Sequence, residues 1–303
     1  MDYAPLSQRI VLTGGRSRLA GVIRDHLSRR GAQIISLSRS EGDSHLGLEN
    51  LFVNNLADRA DTLIHLAWST VPLNSERHIG LEWKQDLPLL FNILDAIRAS
   101  PNRERLHFVF FSSGGAVYGN AQAGVPSRET DVCRPLGWYG HAKLAAEHII
   151  EEYGRRYGLV YTILRISNPY GFSVPAHKPQ GIIPFILKHA REGTPLHVWG
   201  DGTARKDFLH SSDFTAALAE VVRLRPIGTF NVSLGRSHTV SEVISLAEVA
   251  TGRSVAVKHV PGHAWDVHDS LLDNSKLSAA IGWQPKLSLA EGLRRFAAEF
   301  GEQ

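Results

Sequence analysis

The sequence predicts an α/β protein with a doubly wound parallel sheet and a smaller, discontinuous α+β domain. In the first half of the chain, short apolar runs alternate with helical patterns, which is typical of parallel βαβ units. After about Ser167, proline and glycine become denser and the predicted elements become shorter. The chain has 303 residues, of which 43% are hydrophobic and 21% charged, so it suits two globular domains rather than a disordered segment.

Five apolar runs predict the buried strands of the first domain. They are rich in isoleucine, leucine, valine and phenylalanine, as expected for strands that are covered on both faces. The five runs are Ile10–Thr13, Ala32–Leu37, Thr62–Ala67, Leu106–Ser112 and Leu159–Ile166.

Helical patterns connect these strands. Longer helices are predicted over Glu82–Ser100 and Tyr139–Tyr157. Between the first two strands, an amphipathic pattern is formed by Leu19, Val22, Ile23 and Leu27. Strands that alternate with helices in this way predict an open sheet with helices on both faces.

The second half of the chain predicts further helices and a discontinuous second domain. The helices are Ile182–Arg191, Asp213–Arg223, Val240–Thr251 and Leu289–Phe300. We place the first domain at residues 1–167 plus about 212–235, and the second domain at about 168–211 plus 236–303.

Composition excludes several classes of protein and site. Cys133 is the single cysteine, so an intrachain disulfide and a cysteine-rich metal site are both excluded. The 15 histidines are scattered without a paired helical motif, and no metal is predicted. A net charge of +3 favours a small anionic ligand over a nucleic acid, which usually requires a clustered basic face.

The hydropathy pattern predicts neither a membrane span nor a signal peptide. No run approaches the roughly 18 apolar residues that a spanning helix needs. The first predicted strand begins so close to Met1 that a charged segment, an apolar core and a cleavage site have no room before it. We therefore expect a cytoplasmic protein.

A glycine-containing turn follows the first predicted strand and leads into the first helix. Against the pattern G-x-x-G-x-x-G, Gly14 occupies the first position, Ser17 the second and Ala20 the third. Glycine lets the backbone approach a pyrophosphate, and a helix N-terminus offers amide groups and partial positive charge. The turn therefore predicts a dinucleotide site that also includes Arg18 and Leu19, with an ordinary strand–helix turn as the alternative.

The end of the second predicted strand bears on the type of dinucleotide. NAD-binding units usually carry a carboxylate there, which accepts hydrogen bonds from the ribose. This chain instead has Ser38 and Arg39, which would bind a 2′-phosphate that a carboxylate would repel. NADP(H) is therefore favoured, with NAD(H) as the alternative. In a further interpretation, Arg39 is only a solvated loop residue.

Tyr139 and Lys143 form the strongest chemical motif. They stand four residues apart near the start of a predicted helix, so they share one helix face. A lysine ammonium near a phenol stabilises the phenolate and lowers its pKa. Such a tyrosine can exchange a proton with a carbinol oxygen while a nicotinamide transfers hydride. The alternative is an aromatic–lysine pair on the surface.

Six motifs stand in order along the chain. They are Thr13–Gly15, His65–Ala67, Phe111–Gly119, Leu164–Gly171, Gly200–Gly202 followed by Lys206–Phe208 and Asp213, and Gly282–Pro285. Together they resemble the extended short-chain dehydrogenase/reductase family, specifically its nucleotide-sugar epimerases, reductases and dehydratases. The resemblance implies a Rossmann-type sheet, a dinucleotide on the first domain and a nucleotide sugar on the second. Relatives commonly dimerise through helices that correspond to Glu82–Ser100 and Tyr139–Tyr157, so a homodimer is expected.

The resemblance also implies roles for individual residues. The implied catalytic residues are Tyr139, Lys143 and Ser113, with Ser112 as the second choice for the hydroxyl. Cofactor contacts are implied for Gly14, Ser17, Arg18, Leu19, Ser38, Arg39, Leu66, Ala67, Ser112, Tyr139 and Lys143. Substrate contacts are implied for Ser113, Asn168, Arg205, Lys206, His263 and Asp266.

The chain departs from the family pattern around the catalytic hydroxyl. Gly114 occupies the usual serine or threonine position, so Ser113 is the nearest hydroxyl. Dehydratases of the family place an Asp-Glu pair just after that position, where this chain has Gly115 and Ala116. Without this acid and base, dehydration is not expected. Asp86 stands where the family usually has asparagine.

The chain also departs from the pattern on the substrate side. Lys206 and His263 replace two arginines of the family, so neither can offer a bidentate fork to a diphosphate. The tryptophans of this half are expected to pack in cores, with nucleotide stacking as the alternative. They are Trp199, Trp265 and Trp283.

Three functions are compatible with these residues. The first is a nucleotide-sugar 4-ketoreductase that uses NADPH to reduce a 4-keto-6-deoxy sugar, with Tyr139 protonating the oxygen. The second is a 4-epimerase of the UDP-glucose type, which needs retained NAD and is therefore less compatible with Arg39. The third is a non-catalytic NADP(H)-binding sensor, which the intact pair of Tyr139 and Lys143 disfavours.

Overall fold

The computed structural model describes residues 5–39, 46–47, 49, 55–122, 124–172 and 181–300 of the chain. The strands are β1 (Arg9–Thr13), β2 (Gln33–Ser38), β3 (Leu46–Gly47), β4 (Thr62–His65), β5 (His107–Ser113), β6 (Val160–Ile166), β7 (Asn168–Tyr170), β8 (Leu196–Trp199), β9 (Arg205–His210), β10 (Gly228–Val232), β11 (Ser237–Thr239) and β12 (Val257–Val260). The α-helices are α1 (Arg18–Arg29), α2 (Pro72–Arg77), α3 (Leu81–Lys84), α4 (Asp86–Ala99), α5 (Gly114–Val117), α6 (Trp138–Tyr157), α7 (Ile182–Glu192), α8 (Ser211–Leu224), α9 (Val240–Thr251), α10 (Ser275–Ile281) and α11 (Leu289–Phe300). Within the described ranges, no helix combines the length and apolar character needed to cross a membrane.

A seven-stranded sheet has the strand order β10-β6-β5-β4-β1-β2-β3. β1 pairs in parallel with β2 on one side and with β4 on the other, and β4 pairs in parallel with β5. The strand order therefore reverses at β1. In open α/β sheets, ligands bind beyond the carboxyl ends of the strands at such a switch point. The predicted parallel sheet is confirmed, and its topology points to the residues that follow β1 and β4.

Apolar side chains from α4 and α6 cover this sheet. Leu90 and Ile93 of α4 and Ile150 of α6 are fully buried in one cluster with Phe108 and Phe110 of β5. The helical residues recur at intervals of three and four, which places them on core-facing stripes. Burying each such side chain stabilises the fold by about 1.5–3 kcal/mol before entropy is counted.

The predicted helical stretch Glu82–Ser100 is interrupted at one residue. The chain forms α3, leaves helical geometry at Gln85 (φ −123°, ψ −52°) and begins α4 at Asp86. Pro88 explains the break, because proline has no N–H to donate to the Lys84 carbonyl and its ring would clash with that turn. Starting a new helix at Asp86 places Pro88 in the first turn, where N–H groups lack intrahelical partners anyway.

Two smaller sheets are found in the second half of the chain. β9 pairs in parallel with β7 and antiparallel with β11, while β8 pairs in parallel with β12. The helices α7, α9 and α11 build the adjoining core with Leu187, Val243 and Leu293. α9 begins with a capping box, in which Glu242 N donates to Thr239 Oγ1 at 3.0 Å and Thr239 N donates to Glu242 Oε2 at 2.9 Å.

The chain divides into two compact units. The first comprises Met1–Ser113, Gly137–Arg165 and Thr215–Phe230, and the second comprises Gly114–Leu136, Ile166–Phe214 and Asn231–Gln303. The predicted boundaries placed residues 114–136 in the first domain, whereas the structure groups them with the second unit. Backbone pairing explains this, since Ser127 N donates to Leu271 O (2.8 Å) and Asp273 N donates to Ser127 O (2.9 Å).

Candidate active site

The turn after β1 lies against the segment that follows β4. Gly14 has a φ of +78°, and a Cβ at this position would lie 2.8 Å from Ala67 N. A side chain here would be strained by the backbone conformation and would also displace the neighbouring segment. Gly14 therefore lets the two strand ends of the switch point approach each other.

Ser17 begins α1 as its N-cap. Its hydroxyl accepts a hydrogen bond from Ala20 N at 3.1 Å, and the first turn of the helix contains no acidic residue. The remaining amide groups and the partial positive charge of this N-terminus therefore face no carboxylate of their own turn. Arg18 is exposed and Leu19 is half-buried. This helix end has the chemistry of an anion site.

His65 connects the ends of β1 and β4. Its Nδ1 lies 2.8 Å from Thr13 Oγ1, and Ala67 N donates to the same hydroxyl oxygen at 3.2 Å. Burial, reinforced by the charge of Lys143, lowers the pKa of His65 to about 3, so the ring is neutral at physiological pH. His65 thus orders the strand ends, while Leu66 and Ala67 stay half-buried beside them.

The end of β2 carries a buried serine and an exposed arginine. Ser38 is buried, whereas Arg39 is exposed and places Nη1 3.5 Å from Gln85 Oε1. Neither position offers a carboxylate to a ribose. The guanidinium is accessible to an anion at this strand end, and the preference for NADP(H) stays a prediction.

One face of α6 is both buried and polar. Tyr139, Lys143 and Glu147 follow each other at intervals of four residues and so lie on the same face. Lys143 is 4% exposed and Glu147 is fully buried. Burying charged groups is costly unless hydrogen bonds or opposite charges compensate them. The polar face of α6 therefore needs hydrogen bonds or opposite charges from neighbouring elements.

Ser113 hydrogen-bonds to the phenol of Tyr139. Ser113 is the last residue of β5, and its hydrogen bond lowers the pKa of Tyr139. The role of Ser113 as the hydroxyl that shares a proton with Tyr139 stays a prediction.

The expected lowering of the Tyr139 pKa by Lys143 is wrong in this structure. Burial, together with the negative charges of Asp86 and Glu82, raises the pKa of Tyr139 well above its usual value. These effects outweigh the hydrogen bond from Ser113. The phenol is therefore protonated throughout the physiological pH range.

Lys143 points into an aromatic environment. Its Nζ donates to Phe111 O at 2.8 Å and lies 3.7 Å from the centre of the Trp68 ring. The same atom is 4.8 Å from the centre of the Phe110 ring and 5.8 Å from that of Tyr139. Burial lowers the pKa of Lys143 to about 7, although nearby carboxylates raise it.

Ser112 belongs to a different hydrogen-bond network from Ser113. Its hydroxyl donates to Glu147 Oε1, and Arg165 Nη2 pairs with Glu147 Oε2 at 2.7 Å. Both charged side chains are almost completely buried. Ser112 therefore bonds a structural ion pair, which sequence reasoning missed although Glu147 continues the four-residue spacing that begins at Tyr139.

Two further carboxylates hold the segment that follows β4. Asp86 Oδ1 accepts from Ser69 N at 2.9 Å, and the Ser69 hydroxyl donates to Asp86 Oδ2. Glu82 Oε1 accepts from Thr70 Oγ1 at 2.6 Å and also from the hydroxyl of Ser75. Burial raises the pKa of Asp86, against the hydrogen bonds from Ser69 and the charge of Lys143. Sequence analysis had identified only Asp86.

In the second unit, Asn168 is anchored to the strand that carries the predicted substrate residues. Its Nδ2 donates to Asp207 O at 2.9 Å. The Asp207 carboxylate accepts from Leu234 N and Gly235 N, each at 2.9 Å. Burial raises the pKa of Asp207 to about 7 against these bonds. Asp207 therefore organises a backbone turn next to β9.

The two basic residues of β9 are already engaged within the second unit. Arg205 Nη2 donates to Ser237 O at 3.0 Å. Lys206 Nζ lies 3.0 Å from Asp266 Oδ1 and also donates to the carbonyl oxygen of Val267. The structure thus brings together Lys206 and Asp266, which were both predicted as substrate residues. The carboxylate of Asp266 partly neutralises the charge of Lys206.

His263 belongs to an aromatic cluster rather than to the basic residues. Its ring stacks on Trp265 with centroids 4.8 Å apart and an interplanar angle of 11°. Trp199 meets His263 edge-to-face at 4.6 Å. The expectation of core packing fits Trp283, which is buried, but not Trp199, which is 38% exposed. Trp199, His263 and Trp265 are called the aromatic cluster below.

Each unit thus contains its own group of predicted site residues. The predicted catalytic residues and the glycine turn lie in the first unit, and Asn168 and the basic residues of β9 lie in the second. Among the residues that the structure describes, no three histidine, cysteine or carboxylate side chains converge as metal ligands.

Comparisons with known proteins match nearly the whole chain. A model of the NAD dependent epimerase/dehydratase family matches residues 10–233. A putative UDP-glucose 4-epimerase of Methanocaldococcus jannaschii is 28% identical over 94% of this chain and 96% of its own length. The dTDP-4-dehydro-6-deoxyglucose reductase of Escherichia coli is 27% identical over 77% of this chain and 72% of its own length.

A solved structure agrees with the fold of both units. The UDP-glucose 4-epimerase of Thermus thermophilus, in complex with NAD, is similar with a TM-score of 0.88 at 27% identity. The similarity covers 97% of this chain and 99% of the other. The predicted Rossmann-type fold is thereby confirmed.

Proposed function

This chain belongs to the NAD-dependent epimerase/dehydratase family, which acts on nucleotide sugars, and we propose that it is a nucleotide-sugar 4-ketoreductase. The observation that carries the proposal is the placement of Lys143 and Ser113 beside Tyr139: Lys143 Nζ lies 5.8 Å from the centre of the phenol ring, and hydrogen bonding by Ser113 lowers the pKa of that phenol. This arrangement supplies a proton donor, a second hydroxyl for the same substrate oxygen and a nearby positive charge.

The residues at the switch point suit a dinucleotide cofactor. The close approach at Gly14 and the N-terminus of α1, which has no acidic residue in its first turn, together offer backbone amides to a pyrophosphate. When bound, a nicotinamide cofactor supplies the hydride. Ser38 and Arg39 favour NADP(H), because an arginine can pair with a 2′-phosphate.

Tyr139 serves as the acid in the reducing direction. A phenol that stays protonated at neutral pH can donate its proton to the oxygen of a ketone as that oxygen gains negative charge. Ser113 hydrogen-bonds to the same oxygen in this mechanism. The hydrogen bond to the carbonyl oxygen of Phe111 fixes Lys143, so the charged form of its amine is held near the phenol.

The second unit binds the nucleotide part of the substrate in this proposal. The aromatic cluster offers exposed ring faces on which a nucleobase can stack. Polar contacts to the diphosphate and the sugar come from Asn168, Arg205, Lys206, His263 and Asp266.

A 4-epimerase is the second candidate. The observation that favours it is the similarity to UDP-glucose 4-epimerases over more than nine-tenths of the chain. An epimerase needs Tyr139 as a base in the first half-reaction and as an acid in the second, and it keeps its nicotinamide bound between them. Dehydration has no support, because Gly115 and Ala116 stand where the dehydratase acids belong.

A substrate panel separates the two candidates. Purified protein is incubated with NADPH or NADH and with UDP-, GDP- and dTDP-4-keto-6-deoxy sugars, while the absorbance of the reduced nicotinamide is followed. We expect oxidation of NADPH with at least one of these sugars, and Arg39→Ala should reduce the preference for NADPH over NADH about tenfold. Tightly bound NAD, no consumption of NADPH and interconversion of C4 epimers of UDP-sugars would instead identify the epimerase.

The enzyme forms a homodimer through α4 and α6 in this proposal. Both helices present large apolar side chains to solvent, namely Phe91 at 43% and Tyr157 at 48% exposure. Light scattering after gel filtration measures the mass directly. A dimer that becomes monomeric in Phe91→Glu supports this interface, and a monomeric parent protein contradicts it.

A further inference from the structure

Lys143 carries a buried amine at the proposed site. Its side chain is 4% exposed, and no carboxylate of the described residues forms a salt bridge with it. Two carboxylates that favour its charged form are engaged elsewhere, because Glu147 pairs with Arg165 and Asp86 accepts from Ser69. A buried ammonium without a counter-ion needs another source of stabilisation.

The face of the Trp68 ring lies directly against the Lys143 ammonium. Lys143 Nζ lies 3.7 Å from the centre of the Trp68 ring, well within the roughly 6 Å reach of a cation–π interaction. Tryptophan is the most favourable aromatic partner for such a contact, and desolvation strengthens it. Phe110 adds a second ring at 4.8 Å, and Phe111 O accepts a hydrogen bond from the ammonium.

The position of the Trp68 ring is fixed by packing. The ring meets Phe110 edge-to-face at 5.9 Å, and Trp68 Nε1 has no hydrogen-bond partner among the described residues. The next residue, Ser69, is held by the Asp86 carboxylate through both its N–H and its hydroxyl. The segment after β4 therefore presents an indole face, and not a polar group, to Lys143.

From these contacts we infer that Trp68 is a positioning residue for the proposed reaction, whose indole face holds the Lys143 ammonium in place and keeps it charged next to Tyr139. The inference rests on the proposed function only for its catalytic meaning. The contact itself, and its effect on Lys143, can be measured in a protein that turns over no known substrate.

Several other groups act on the same ammonium. Asp86 of α4, Glu147 of α6 and Glu82 of α3 favour the charged form, while burial disfavours it. His65 of β4 is neutral and Tyr139 is protonated at neutral pH, so neither contributes a full charge there. A test must therefore change the ring electronics of Trp68 without moving these groups.

Fluorinated tryptophan at position 68 meets this requirement. Fluorine withdraws electron density from the ring face and weakens cation–π attraction while the shape of the ring is nearly kept. The protein carries 8 lysines, so its lysine side chains can be labelled with carbon-13 and titrated by NMR, with Lys143→Arg assigning the signal. We expect the acid dissociation constant of Lys143 to rise stepwise through mono-, di- and trifluorotryptophan, by roughly tenfold over the series.

The same substitutions at Trp283 provide the matched control. Trp283 is buried in the second unit, so the titration of Lys143 should not change there. A titration of Lys143 that is constant along the series at position 68, in a protein of unchanged melting temperature, would overturn the inference. If a fluorinated protein unfolds, Trp68→Phe and Trp68→Leu replace the series, with the leucine variant expected to show the larger rise in the dissociation constant.

Measurements of enzyme activity distinguish a failure of this inference from a failure of the proposed function. If the protein is a 4-ketoreductase, the fluorinated series should shift the pH dependence of kcat by the same amount as the NMR titration. An NMR shift without any 4-ketoreductase activity leaves the contact established and rejects the function. Activity whose pH profile ignores the NMR shift rejects the positioning role.

Discussion

The charged residues predicted for catalysis and those predicted for substrate binding lie in different units and differ in burial. In the first unit, Lys143 and Glu147 are buried and are stabilised by fixed hydrogen bonds, an ion pair and aromatic rings. In the second unit, the side chains of Lys206 and Asp266 pair while 17% and 34% exposed, and Trp199 is 38% exposed. Solvent screens the second set of interactions more than the first.

This difference indicates a division of labour. Groups fixed in a dry environment are suited to chemistry, because their charges act strongly and do not need to reorganise. Groups that remain partly solvated can be released from their neighbours and rearranged around a ligand. We therefore expect substitutions in the first unit to lower kcat or stability, and substitutions in the second to raise KM.

Removal of the Tyr139 hydroxyl gives the largest expected effect. Tyr139→Phe should lower kcat by about 10²–10⁴-fold, the usual contribution of a positioned acid or base, with little change in melting temperature. Steady-state kinetics with the 4-keto sugar that the substrate panel identifies measures the loss of kcat.

Tyr153→Phe is the matched control for this substitution. Tyr153 lies on the same helix, but its hydroxyl donates to Asp95 in an exposed position. Its removal should leave kcat unchanged. Equal activities of Tyr139→Phe and the parent protein would show that Tyr139 is not the proton donor and would contradict a catalytic role for the buried groups of the first unit.

The buried ion pair of the first unit should be costly to break. Glu147→Gln leaves the Arg165 guanidinium buried without its counter-ion, which typically costs about 3 kcal/mol in the free energy of unfolding. Chemical denaturation with urea measures this change. Glu152→Gln on the exposed side of the same helix serves as control, and its unfolding midpoint should not move. Similar unfolding midpoints for both variants would show that the buried pair of Glu147 and Arg165 contributes nothing to the free energy of unfolding.

Sequence analysis predicted the local part of the first unit well. Tyr139 and Lys143 could be identified because a spacing of four residues places them on one helix face whatever the rest of the fold does. Ser113 followed from its position in a motif at the end of a strand. The break between α3 and α4 was also readable, since Pro88 cannot donate to Lys84, but the apolar periodicity obscured it.

The contacts that tune the site depend on tertiary structure. Between Trp68 and Lys143 the chain forms α2, α3, α4, β5 and α5, and no local pattern connects the two residues. Tyr139 was expected to have a lowered pKa because the sequence pairs it with a lysine, whereas the fold adds burial and the charges of Asp86 and Glu82. In the second unit, the pairing of Lys206 with Asp266 likewise depends on chain segments far apart in sequence.

A substitution in the aromatic cluster tests the expectation that changes in the second unit raise KM. Trp199→Ala removes an exposed ring face, and stacking of a base on an aromatic ring is worth about 1–3 kcal/mol. We expect KM for the nucleotide sugar to rise roughly tenfold with kcat nearly unchanged. Trp83→Ala removes an equally exposed tryptophan from the first unit and should leave KM unaltered. A fall in kcat with constant KM would contradict a binding role for the cluster.

The smallest expected effect concerns the coupling of buried charges in the first unit. The carboxylate of Asp86 raises the pKa of Tyr139 and of Lys143, so Asp86→Asn should lower both. Reduction requires the protonated phenol, and the ammonium supports it. The decline of kcat at high pH should therefore begin at a lower pH in the variant, by less than about one pH unit.

The full pH profile of kcat distinguishes this coupling from a general loss of stability. Asp95→Asn on the exposed side of α4 is the control, and its profile should overlay that of the parent protein. The asparagine at position 86 can still accept from Ser69, so the segment that carries Trp68 should stay in place. If kcat falls equally at every pH in Asp86→Asn, the carboxylate acts by holding that segment. If only the decline at high pH moves, the negative charge of Asp86 acts on Tyr139 electrostatically within the buried site. That result would agree with the difference in burial between the two sets of charged residues.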